Sequence, residues 1–145
     1  MMVMAPGEGY GDIQEGLRGK RVFVWTCNTC ARLCGVGGRE KAEEAVRLLE
    51  SGGVEVAGSA AVPAACFMSN ARDRLGGSEG FDVVLALCCD IGAGCAREAS
   101  GKPVVNPVET LGVGFLGEDG VPRLLRRSVR RMYKIGSYST ARRYT

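Results

Sequence analysis

The chain has 145 residues, 46% of them hydrophobic and 24% charged, with a formal net charge of +3. That length and balance fit one globular domain with a core of its own, and no apolar run approaches the 18 or more residues of a membrane span. There is no histidine, which removes Cys/His zinc sites, Ser-His-Asp triads and imidazole acid–base chemistry together. No residue set for bond-making catalysis stands out in what remains.

Seven cysteines, at positions 27, 30, 34, 66, 88, 89 and 95, are the conspicuous feature. The count is odd, so a disulfide framework is the weaker reading. The charge is also unevenly placed. Residues 1–119 hold all 16 acids and 11 of the 19 bases, and the rest of the chain holds eight bases and no acid.

Residues 1–19 show no sustained period and read as a flexible arm. Met1 to Gly11 has neither a basic n-region nor an apolar h-region, so a secretory signal is not expected and a cytoplasmic protein is. Residues 20–118 read as the folded domain. Val22 to Trp25 is a short branched and aromatic run, suited to a strand buried on both faces. It delivers Cys27-Asn28-Thr29-Cys30-Ala31-Arg32-Leu33-Cys34, and then Gly35-Val36-Gly37-Gly38. A helix is expected from Arg39, with apolar positions Ala42, Ala45, Val46, Leu48 and Leu49, and Gly52-Gly53 ends it.

Val54 to Val62 reads as the second strand and leads to Cys66. Ser69 or Asn70 could cap a short helix through Leu75. Phe81 to Leu87, the third strand, delivers Cys88 and Cys89 and a glycine-rich turn into another helix reaching about Ser100. Lys102 to Pro107 holds a fourth short strand, and Thr110 to Gly117 reads as a loop. Strand and helix in alternation predict a small Rossmann-like, flavodoxin-like α/β fold with a parallel sheet and right-handed crossovers. The carboxyl ends of such strands share one edge, where ligands bind. The cysteines that follow the first three strands should therefore meet there.

Residues 119–145 differ in kind. Pro122 and Gly136 read as the start and stop of a basic amphipathic helix, followed by a tail. Its Arg126, Arg127, Arg130 and Arg131 are candidates for docking a partner protein. A nucleic-acid or anionic-membrane role is less favoured, because no aromatic interleaving or nucleic-acid motif accompanies them.

The C-x2-C-x3-C triplet brings three thiols close enough to converge on one centre. Ligands drawn from Cys27, Cys30, Cys34, Cys66 and Cys89, with Cys88 as a substitute, would suit a [4Fe–4S] cluster. The same thiolates would suit structural zinc in a protein-interaction module, and redox-active or inert buried thiols are the remaining readings. Cys95, inside a helical segment, reads as a buried bystander. Gly35, Gly37, Gly38 and Gly92 could aim backbone N–H groups at cluster sulfurs. A phosphate cradle is the other use of such glycines, but neither G-x-G-x-x-G nor a Walker loop is present.

The segment Cys27 to Lys41 resembles the N-terminal half of the MetV-type partner subunit of methylenetetrahydrofolate reductase. Cys66 after the second strand, Cys89-Asp90-Ile91-Gly92 after the third, and the Lys102-Pro103-Val104 strand extend the similarity over about residues 20–117. Residues 119–145 depart from it, with an arginine-rich segment in place of a second cysteine-rich half. The resemblance implies a [4Fe–4S] centre held by Cys27, Cys30, Cys34, Cys66 or Cys89, with one of the five spare. It also implies an electron-transfer role beside a larger redox subunit, a flavin reductase or another one-carbon enzyme.

Overall fold

The computed structural model describes residues 1–77, 79–127 and 143–144. It is a mixed α/β fold with two sheets. The larger sheet contains β2 (Arg21–Cys27), β3 (Glu55–Val62), β4 (Val83–Leu87), β5 (Val104–Val105) and β8 (Arg143–Tyr144), in the order β3-β2-β4-β5-β8. β2, β3, β4 and β5 pair in parallel, and β8 joins β5 antiparallel. The crossovers carry α1 (Cys30–Leu33), α2 (Arg39–Ser51), α3 (Met68–Leu75) and α4 (Asp90–Ser100). From β2 the chain steps outward to β3, then returns to place β4 on the other side of β2. The direction of winding thus reverses between β2 and β4, the place where a crevice opens at the carboxyl ends of parallel strands.

Side-chain alternation sorts the interior into two cores, because successive residues of a strand point to opposite faces. Val22 and Val24 of β2 and Val83, Leu85 and Leu87 of β4 pack with Ala42, Ala45 and Leu49 of α2, and with Ile13 and Leu17. Trp25 and Cys27, together with Val84, Ala86 and Cys88, fall on the other face. They pack with Ala71 and Leu75 of α3 and Ala93 and Ala96 of α4. The two cysteines that end on this face are thus continuations of the strand period.

The smaller sheet is antiparallel, in the order β1-β6-β7, from β1 (Met2–Pro6), β6 (Val108–Leu116) and β7 (Pro122–Arg127). It corrects three expectations. The supposed arm begins with a strand, because Met2–Pro6 pairs along β6 and buries Val3 and Met4. The supposed loop at Thr110 to Gly117 is mostly β6. The start of the supposed basic helix is β7, since a turn at Gly117-Glu118-Asp119-Gly120 folds Pro122–Arg127 back onto β6. Within that turn Gly117 N–H donates to Val121 O at 3.0 Å and Gly120 has a φ of 78°. Over Pro122–Arg127, pairing along a long strand outweighs the helical spacing of the apolar residues. The remainder of that expected helix and tail, with Arg130 and Arg131, lies outside the described residues. Among the described residues no helix is long and apolar enough to cross a membrane.

Candidate functional site

Six of the seven cysteines lie at or just beyond the carboxyl edge of the parallel sheet, and Cys95 lies further along α4. Cys27 closes β2, Cys30 opens the single-turn α1, and Cys34 caps its end. Cys66 lies between β3 and α3, Cys88 follows β4, Cys89 is the N-cap of α4, and Cys95 lies within α4. All seven are free thiols.

Two side chains fix the turn that carries the first three. The Thr26 hydroxyl, fully buried, donates to Leu87 O at 2.6 Å and accepts from Gly38 N–H at 2.8 Å, which ties β2, β4 and the entry of α2 together. Asn28 accepts from Arg39 N–H at 3.0 Å through its side-chain oxygen. These contacts occupy two of the free N–H groups at the start of α2. Gly38 has a φ of 93°, and a Cβ there would stand 2.8 Å from Arg32 Cβ, so glycine is required.

The glycines divide accordingly. Gly35 N–H goes to Arg32 O and Gly37 N–H to Ala31 O, each at 3.0 Å, and Gly38 N–H to Thr26. None of the three is aimed at a sulfur. Their role is to turn the backbone tightly, contrary to the expectation from sequence. Gly92 N–H, by contrast, donates to Cys89 Sγ at 3.5 Å.

The thiols sense one another across the edge. Cys66 is influenced by Cys27 and Cys30, and Cys89 by Cys66 and Cys27. Burial is nonetheless the main cause of every resolved shift, since a low-dielectric surrounding disfavours the charged thiolate. It raises Cys34, Cys66 and Cys95, and pushes Cys89 up to about 12 although Gly92 and Ile91 N–H groups oppose it. Cys88, with 0% of its surface exposed, is raised well above its ordinary value by the same cause. Cys27 sits against the β3 exit, its Sγ 3.6 Å from Pro63 O and accepting from Thr29 N–H at 3.4 Å.

Cys34 stands apart. Its Sγ donates to Met2 O of β1 at 3.7 Å, and the cysteine it senses is Cys30. As they stand, no three Cys, Asp or Glu side chains among the described residues lie close enough together to hold a metal ion. Comparison with known proteins adds nothing. No family model matches the chain, and neither a curated protein nor a solved structure matches it.

Asp90, beside the cysteine pair, is structural. Its N–H donates to Thr110 Oγ1 at 2.9 Å and its carboxylate accepts from Asn106 Nδ2 at 3.4 Å, fastening α4 to the start of β6. Of the docking arginines, Arg126 and Arg127 are exposed on β7, near exposed Leu125, Val113 and Phe115. A cavity of about 350 Å³ at the outer edge of β3 is lined by Arg39, Glu43, Ser59 and Arg74, and no cysteine lines it.

One functional candidate was missed. Cys95, expected to be a bystander, places its Sγ 3.6 Å from Cys66 O. The signal was Gly92, one helical turn earlier on the same face. A Cβ at Gly92 would stand 2.9 Å from Ala65 Cβ, so glycine lets α4 lie against the segment that carries Cys66.

Proposed function

We propose that this chain is an iron–sulfur-bearing accessory subunit that passes electrons to a larger redox enzyme. The observation that carries the reading is the gathering of thiols from three separate strand exits at one sheet edge: Cys27 with Cys30, Cys66, and Cys89. Their mutual electrostatic influence supports the reading, and their donor chemistry suits a thiolate-held centre. The winding order β3-β2-β4-β5 supports a flavodoxin-like, Rossmann-type reading of the sheet, with the thiols at its reversal point.

A bound [4Fe–4S] cluster would supply one-electron transfer. The residues around it would do the rest. Cys27, Cys30, Cys66 and Cys89 would hold it, with Cys34 as the spare of the five. The Gly92 N–H would stabilise charge on Cys89 Sγ, the one sulfur to which a glycine N–H of this edge points. Trp25, 0% exposed and donating from Nε1 to Gly92 O at 3.3 Å, holds that turn and keeps water from its inner side. Burial, which makes free thiolates costly here, favours a cationic centre to share their charge. The resemblance to the MetV-type subunit supports a one-carbon, methylenetetrahydrofolate-reductase-like complex as the setting, docked through Arg126, Arg127 and their neighbours in sequence.

The deciding measurement is iron and acid-labile sulfide on anaerobically isolated protein. About four of each per chain, with a brown absorbance, is expected. One zinc without sulfide would make the domain a thiolate-stapled docking module instead. Absence of any metal would leave only free thiols and would also overturn the proposal.

A further inference from the structure

We propose that Cys66 and Cys95 are a thiol pair that closes to an intramolecular disulfide when the protein meets a peroxide. Cys66 is exposed and is followed by Phe67, whose surface is 62% exposed, so this segment is open to a small oxidant. Cys95 is half-buried behind it, and its Sγ donates to Cys66 O at 3.6 Å. A carbonyl oxygen lies about 2.4 Å from its own Cα. The Cys95 sulfur is therefore within about 6 Å of the Cys66 Cα, and the exposed segment that carries Cys66 shifts toward α4 to bring the two sulfurs together. The approach is built into the fold, because Gly92 brings α4 to Ala65, and Cys95 lies one turn further along the same helix face.

The chemistry balances in two steps. The Cys66 thiol gives up its proton as its sulfur attacks one oxygen of hydrogen peroxide; an S–O bond forms, the O–O bond breaks, and the departing hydroxide takes up that proton to become water. The Cys95 sulfur then attacks the Cys66 sulfenic sulfur. The S–S bond forms, the S–O bond breaks, and the leaving hydroxide takes the Cys95 proton as a second water. Two thiols lose two electrons in total and one peroxide gains them.

The pairing does not depend on a bound cluster. If Cys66 is a ligand, as proposed above, the bridge also withdraws it from the centre, and that consequence alone rests on the earlier reading.

The test is peroxide titration of the full chain, followed by alkylation of remaining thiols, proteolysis and mass spectrometry. Iron and sulfide are measured on the same sample beforehand, so that the fate of the cluster proposal is read separately. A Cys66–Cys95 cross-linked peptide is expected as the main disulfide product of Cys66. In Cys95→Ser and Cys95→Ala, far-UV circular dichroism reports the fold, and Cys66 should advance to sulfinic and sulfonic acid. Recovery of Cys95 as the alkylated thiol, with Cys66 joined to Cys27, Cys30 or Cys89, would overturn the pairing.

Discussion

Thr26 shows how one side chain can organise an edge. Its hydroxyl joins a strand carbonyl to the first N–H of the α2 entry, in a fully buried position. Thr26→Val keeps the shape and leaves both partners without a hydrogen bond, at a cost of about 1–3 kcal/mol. Thr26→Ser should retain most of the stability, and urea unfolding midpoints compare the two. The adjacent cysteines separate in the same way. Cys88 continues the β4 alternation into the α3–α4 core, whereas Cys89 starts a helix and takes an N–H from Gly92. On the proposed function, Cys89→Ala loses most of the bound iron, and Cys88→Ala keeps it while losing some stability. Iron content per folded chain checks both. That parity was legible in the sequence, since Phe23, Trp25 and Cys27 alternate as Val84, Ala86 and Cys88 do. The Cys95 contact was signalled only by Gly92, because it depends on how closely one helix approaches a loop about 30 residues away.

Among elements, β4 is the centre of gravity. All five of its residues are buried, with β2 on one side and β5 on the other. Leu85→Ala removes a fully buried side chain from the α2 face and should cost about 2–5 kcal/mol, seen as a lower urea midpoint with an unchanged slope. The strands and the three longer helices from Arg21 to Val105 were readable because each has its own hydrophobic period and α2, α3 and α4 each stop at a glycine, whereas the single-turn α1 was read as a loop. β1, β6 and β7 were not, because they are mutually dependent. Met2–Pro6 and Pro122–Arg127 become strands only by pairing with Val108–Leu116 between them. The turn at Gly117 to Gly120 was the local clue to β7, and the Val121-to-Met132 helical spacing masked it.

For the whole molecule, acid tolerance depends in part on how separate strand entrances are tied. Arg21 at the start of β2 reaches Asp82, just before β4, with N–H groups 3.1 Å and 2.9 Å from its carboxylate. The arginine side chain and backbone N–H hold the Asp82 carboxyl below its ordinary value of 3.8. The folded form thus holds its proton more weakly than the unfolded chain does. The pair's contribution is present at neutral pH and fades as the pH falls through that lowered value. Asp82→Asn should be slightly less stable than the parent at pH 7, and the difference should vanish well below pH 3.8. Both partners face solvent, so added salt should narrow the gap as well. Unfolding midpoints measured across pH and ionic strength test this.

The partnership of β1 with β6 also imposes an order in time. Met1 donates its N–H to Gly114 O, 113 residues away, and the β1 ladder cannot form until β6 exists. On a ribosome adding about 5–20 residues per second, the first strand waits roughly 5–20 s for its mate. The parallel sheet's first strands emerge long before that. Cys34, whose thiol ends against Met2, therefore spends the interval uncovered, and the cysteine edge is still open on that side when its other walls are already in place.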